Sequence, residues 1–442
     1  MKKHVVIFTA LLATGLHLQA KTLTEIKGIS KKTKQTTLSL YRVVTGHMEE
    51  IASITPKANG EFTFSFEPEY KGYYVIGTEH PGRTKDKFKF YVKGNEQINL
   101  ELNDSTYVLT GQNTKENQLL EQWHKLIYKV DKEANNIKTD SFKFFTDLEN
   151  TASQAQNWCA DKKTGNADFD QLMHETVKYD LAFISNLYLN TQRYAPQDFN
   201  SYLKNLKPDE YLNKSLYNFP YGERLLQFLV MFKLHGSKEI NFDKCLQAVP
   251  DDTIKGEYVL TRIPRAIKSY YDYSEWFEKY QQYFLTAEQK SRAKSILDHV
   301  AALQPGKKAI NFSYPDANGK MVSLSDYKDK VVLVHVWGDH FQMEKEFSYL
   351  KQLQEEFKEK DLVVIGVSAD WNSKDQWEKC MTKLNLNGIQ LFGKYEIWEK
   401  YMIKGNNVFS TFMLFDKKGN IVSVNAPLAS DPMLKEMIMK QL

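Results

Sequence analysis

The chain has 442 residues, 42% hydrophobic, 13% aromatic and 26% charged, a composition that excludes disorder and allows about three domains. Its 59 basic and 55 acidic residues leave a formal charge of +4, too near neutral to mark a nucleic-acid-binding surface. Three cysteines are too few for a disulfide framework.

Met1 to Ala20 reads as a signal peptide, residues 1–20. Lys2 and Lys3 supply the positive start, Val5 to Leu16 the apolar stretch, and Ala20 a small residue before the cut. Leu18 is larger than usual three positions back from the cut. The apolar run is shorter than the roughly 20 residues that span a bilayer. The residue directly after Ala20 is Lys21 and not cysteine, so a lipid anchor is not expected, and no later stretch approaches transmembrane length. Losing Lys2 and Lys3 leaves 57 basic against 55 acidic residues. The expectation is an exported, periplasmic protein in an oxidising compartment.

Residues 21–112 read as an all-β domain. Leu38 and Leu40 alternate with polar residues, as do Ile98, Leu100 and Leu102. The turn dipeptide Asn59-Gly60 precedes Phe62, Phe64 and Phe66 at period two. Tyr73 to Ile76 and Phe88 to Val92 are further strand-like runs, so the spacing predicts a small antiparallel β-sandwich.

Residues 113–303 read as an α-helical domain. Leu119, Leu120, Trp123 and Leu126 to Ile127 follow helical spacing, as do Leu225, Leu226, Leu229 and Phe232. Thr286-Ala287-Glu288-Gln289 is a capping-box pattern opening a helix toward Leu303. Trp276, Phe277, Tyr283 and Phe284 are expected to fill a core.

Gln304-Pro305-Gly306 ends that helix and opens a third domain, 304–442. Val331 to Trp337 is a nearly continuous apolar run, suited to a strand covered on both faces. Phe347, Leu350, Leu353 and Phe357 return at helical spacing, and Leu362 to Val367 forms a second buried strand. Phe412 to Phe415, a turn at Asp416 to Asn420, and Ile421 to Val424 form a hairpin. This order describes a mixed sheet with helices on its faces.

The segments Gly306 to Phe312, Asn318 to Lys320, Val322 to Tyr327 and Lys330 to Val334 resemble, in order and spacing, the opening of the thioredoxin-fold TlpA/ResA-like and alkyl-hydroperoxide-reductase-like redoxins. Asp416-Lys417-Lys418-Gly419 resembles their hairpin turn, and Ile310 stands where their opening motif has proline. The resemblance covers residues 304–442. A softer one links the preceding β and helical regions to the N-terminal extensions of multidomain members. It implies a thioredoxin-like C-terminal fold and, by family habit, thiol-disulfide exchange.

Members that exchange disulfides carry W-C-x-x-C after the first core strand. There a helix N-terminus lowers the thiol pKa, and the second cysteine resolves the mixed disulfide. Here the strand ends at Trp337 and runs on through Gly338-Asp339-His340-Phe341-Gln342-Met343-Glu344. Alignment puts His340 and Met343 at the cysteine positions, with one residue deleted after Trp337. The family's cis-proline maps to Phe409, where a trans peptide is expected because a cis bond there costs roughly 2.5–4 kcal/mol. The buried carboxylate maps to His335, which strand parity places on the face of Leu333 and Trp337. These positions read as a vestigial active site. Asp339, His340 and Glu344 have metal-ligand chemistry, but the reading preferred is a solvated helix start with acids near the dipole. Phe341, Met343 and Phe409 form either an apolar docking patch or the filling of the lost site.

Cys380 lies on the helix after the second strand, far in sequence from the catalytic position, and no Arg follows Arg292 to assist a peroxidatic thiol. Cys159 and Cys245 leave the question of pairing open. No phosphate loop, H-E-x-x-H or serine elbow occurs. The expectation is therefore no catalytic residue, no metal and no cofactor. A non-catalytic binding or scaffold role toward a protein or peptide of the cell envelope follows. The alternative is a thiol-disulfide oxidoreductase or peroxiredoxin-like antioxidant, and a third reading assigns the function to the β and helical regions.

Overall fold

The computed structural model describes residues 23–32, 37–78, 87–160, 162–191, 201–266, 270–338, 344–369, 374–386, 388–393, 396–401 and 411–442. The expected signal peptide lies outside them. The chain divides into two compact units, Met1–Ile254 and Lys255–Leu442. Among the described residues no helix is long and apolar enough to cross a membrane.

The first unit opens with β1 (Thr24–Ser30), β2 (Leu38–Val44), β3 (His47–Ile54), β4 (Glu61–Phe66), β5 (Gly72–Thr78), β6 (Phe88–Val92), β7 (Gln97–Leu102) and β8 (Tyr107–Leu109). They form two sheets, ordered β4-β1-β7-β8 and β3-β2-β5-β6. The Asn59-Gly60 turn behaves as its residues dictate. Gly60 sits at φ +84°, and the Asn59 side chain accepts from the Glu61 N–H at 3.1 Å. Phe62 and Phe64 then point inward while Thr63 and Ser65 face out. Ile26, Phe64, Ile98 and Leu100 of one sheet share a core with Leu40, Tyr74, Ile76 and Phe90 of the other.

The expected antiparallel pairing needs one correction: β1 runs parallel to β7, with Ile26 opposite Ile98 and Gly28 opposite Leu100. Parallel neighbours need a long crossover, and here the whole second sheet lies between them in the chain. Gly28 is required at this contact, because a Cβ there would lie 1.9 Å from the Leu100 carbonyl oxygen.

Helices α1 (Lys115–Ala134), α2 (Ser141–Ala160), α3 (Ala167–Thr191), α4 (Ser201–Asn205), α5 (Gly222–Lys233) and α6 (Phe242–Ala248) complete this unit, and α7 (Asp252–Ala266) follows. Polar side chains join them to the sheets. Asn117 of α1 bonds both the N–H and the carbonyl of Tyr91, at 2.8 and 2.9 Å. Buried Asp180 of α3 accepts from Lys89 Nζ at 2.5 and 2.7 Å, from Trp123 Nε1 at 2.7 Å, and from the Tyr221 hydroxyl. A carboxylate this deep is tolerated because its lone pairs are occupied and a cation faces it.

The second unit carries α8 (Tyr270–Tyr280) and α9 (Ala287–Ala302). The capping box forms as written: Thr286 Oγ1 accepts from Gln289 N at 3.1 Å, and Gln289 Oε1 accepts from Thr286 N at 3.2 Å. Phe284 is buried, whereas Trp276, Phe277 and Tyr283 are only half-buried, so their helical stripe is less of a core than the spacing predicts. Beyond α9 come β9 (Ser313–Pro315), β10 (Met321–Ser323), β11 (Val331–Trp337), α10 (Glu344–Glu356), β12 (Leu362–Ser368), α11 (Lys374–Lys383), β13 (Ile389–Leu391), α12 (Glu396–Tyr401), β14 (Thr411–Phe415), β15 (Ile421–Ala426) and α13 (Pro432–Met439).

Five of these strands make one sheet, ordered β13-β12-β11-β14-β15. β11 is parallel to β12 and antiparallel to β14, the mixed sheet that the alternation of strands and helices predicts. All seven residues of β11 are buried, because the strand is covered on both faces. Val332, Val334 and Val336 join Phe312, Ile397 and Tyr401 on one face. Val331 and Leu333 meet Leu350 and Leu353 of α10, Phe357 just beyond it and Leu434 of α13 on the other.

Candidate functional site

The end of β11 carries the two sequence-predicted site positions that can be described. Strand alternation sends His335 and Trp337 to the α10 face, and both are 1% exposed. The His335 ring stacks on Phe412 at 4.6 Å and 19°, and meets the edge of Phe347 at 5.2 Å and 75°. Trp337 meets the same Phe347 at 5.9 Å and 87°. In this aromatic slot, burial holds the His335 pKa down to about 3, so the imidazole is neutral at physiological pH.

Trp337 belongs to a small apolar cluster with Phe347 and Trp377 of α11. Trp377 is fully buried and packs on Phe392 at 5.3 Å. Half-buried Cys380, one turn after Trp377 on α11, packs on this cluster. This proximity has no sequence signal, since it depends on how α11 returns over the sheet. Cys245, by contrast, is a buried thiol on α6 in the other unit.

His340, Met343 and Phe409, with Asp339 and Phe341, lie outside the described residues, as do the side chains of Glu344 and Cys159. Among the described residues no three His, Cys, Asp or Glu side chains are grouped for a metal ion. The start of α10 is tied down where it can be described. Glu346 accepts from Ser430 N at 3.0 Å and from Ser430 Oγ at 2.6 Å, fixing the helix to the segment before α13. In the chain, residues 338–343 join the end of β11 to the start of α10. Chemistry there depends on which side chains the junction supplies.

Residues 305–424 match the model of the AhpC/TSA family. A thiol-disulfide oxidoreductase ResA of Bacillus cereus is 30% identical over 127 residues, covering 27% of this chain and 68% of that protein. The same-named protein of Bacillus thuringiensis subsp. konkukian is 36% identical over 95 residues, covering 21% of this chain and 47% of the relative. The chain therefore spans about half to two thirds of the length of these relatives. Among solved structures, the thioredoxin domain of a thiol-disulfide oxidoreductase from Bacteroides vulgatus is similar at 29% identity. It covers 31% of this chain and 97% of that one, with a TM-score of 0.28.

Proposed function

The chain belongs, through its C-terminal domain, to the AhpC/TSA thioredoxin-like redoxin family that includes the ResA proteins, and from that membership we propose that it is a member without dithiol chemistry. It uses the redoxin scaffold to bind a protein or peptide of the cell envelope. The observation that carries this reading is the placing of its cysteines. They stand at 159, 245 and 380, so no thiol falls between the end of β11 at Trp337 and the start of α10 at Glu344. Disulfide exchange needs a thiolate to attack one sulfur and a second thiol to release the product. An imidazole at His340 and a thioether at Met343 do neither. Neutral, aromatic-stacked His335 in place of a carboxylate supports the same reading.

The proposal extends to the layout: a signal peptide over 1–20, a β-sandwich over 21–112, a helical domain over 113–303 and the thioredoxin-like domain over 304–442, exported to the periplasm. Mass spectrometry of the N-terminus in periplasmic and cytoplasmic fractions tests the export. Cleavage after Ala20 in the periplasmic fraction supports it, and an intact Met1 there contradicts it.

One observation favours a second reading, catalysis by a single thiol: the packing of Cys380 on the cluster that contains Trp337. Insulin-disulfide reduction by the full-length protein separates the two. No turnover above the dithiothreitol background supports the binding role. Turnover that Cys380→Ser abolishes supports the second reading.

A further inference from the structure

Helices α2 and α3 leave a cavity of about 380 Å³ between them in the first unit, far in the chain from the junction after β11. Its floor is apolar. Ala155 is fully buried, Leu181 is 6% exposed, and small side chains on α2 leave the space open. Its rim is cationic and aromatic. His174, Lys178 and Leu181 recur at helical spacing, so one face of α3 carries both nitrogen groups above the apolar floor. Lys178 is held in place: Nζ donates to the Glu210 carbonyl at 3.1 Å and lies 4.5 Å from the centre of the Tyr211 ring. An ammonium has three donors, and that bond uses one. Tyr202 adds a phenol that burial keeps protonated, and burial pushes Tyr211 up to about 12. Among the described residues lining the cavity there is no Asp or Glu. The nearby Glu210 carboxylate faces Lys207 at 3.7 Å.

We propose that this cavity binds a small amphipathic monoanion, with its apolar or aromatic body on Ala155 and Leu181 and its carboxylate on Lys178. The volume falls in the range of small-ligand pockets, roughly 300–1,000 Å³. An apolar floor with a few converging polar groups is the usual build of such sites. The charge on the described lining favours an anion: Lys178 supplies an ammonium and no described lining residue supplies a carboxylate, so a ligand carboxylate gains a charge-assisted hydrogen bond.

Isothermal titration of the full chain with naphthalene-1-acetate, beside its neutral amide, tests this. Saturable 1:1 binding of the acid is expected, with the amide about tenfold weaker, the usual worth of a charge-assisted hydrogen bond. Lys178→Gln should weaken the acid about tenfold and leave the amide within about twofold. Ala152→Phe, at a half-buried position on the wall, should abolish both by filling the space. No saturable binding, equal affinity for acid and amide, or an acid affinity unchanged by Lys178→Gln would each overturn the proposal. Should Ala152→Phe fail to fold, Lys178→Gln alone decides.

Discussion

His335 makes a quantitative claim about stability and pH. In the unfolded chain its imidazole titrates near the usual 6.5, whereas burial holds it to about 3 in the fold. Between those values the unfolded state carries the extra proton, so stability rises with pH across that window. It is complete above about pH 7 and is lost steadily as the solution is acidified toward pH 3. At pH 4.5 the unfolded imidazole is about a hundredfold more protonated than unprotonated and the folded one is still neutral. This is a loss on the order of 3 kcal/mol relative to pH 7.5. The side chain is 1% exposed, so solvent screening does not reduce that figure. His335→Phe keeps an aromatic ring between Phe412 and Phe347 and removes the titration. Urea unfolding of wild type and variant at pH 7.5 and 4.5 gives a double difference in which all other titrating groups cancel. The variant should lose about 3 kcal/mol less than the wild type on acidification. Equal losses in the two proteins would refute the burial argument.

The remaining predictions concern the supports of the two units. Gly46 sits at φ +81° against α5, where a Cβ would lie 2.8 Å from the Glu223 nitrogen. Gly46→Ala should cost about 2 kcal/mol, read as a lower urea midpoint, and an unchanged midpoint would contradict this contact. Asp180→Ala leaves Lys89 as a half-buried cation without its carboxylate and should cost about 3–5 kcal/mol, with loss of near-ultraviolet ellipticity from Trp123. A loss below 1 kcal/mol would mean that the pair is dispensable. Thr286→Ala removes the α9 cap and should cost about 1 kcal/mol, detectable as faster amide exchange in the first turn of that helix. Unchanged exchange there would count against the cap.

What could be read from the sequence was local. The β11 run ends where the apolar residues end, because a strand buried on both faces needs every position apolar or stacked. The α9 cap and the Asn59-Gly60 turn are decided by neighbours a few residues apart. The parallel seat of β1 beside β7 was not legible, since its reading as a strand says nothing about which distant strand it meets. Nor was the Asp180 network, whose partners Lys89, Trp123 and Tyr221 come from separate elements. At the candidate site, strand alternation alone predicts the facing of His335 and Trp337. The approach of Cys380 is a property of helix packing, with no motif to announce it.

The most direct test installs a dithiol at the positions aligned with the family's cysteines. His340→Cys/Met343→Cys in the full chain would place a dithiol at the junction between β11 and α10, and insulin-disulfide reduction measures the outcome beside the wild type. We expect a silent wild type and a double variant that turns over, with the intact strand and helix supplying the geometry that the native side chains cannot use. A wild type that reduces insulin would contradict the central claim. So would a folded double variant whose new cysteines neither form a disulfide nor support turnover.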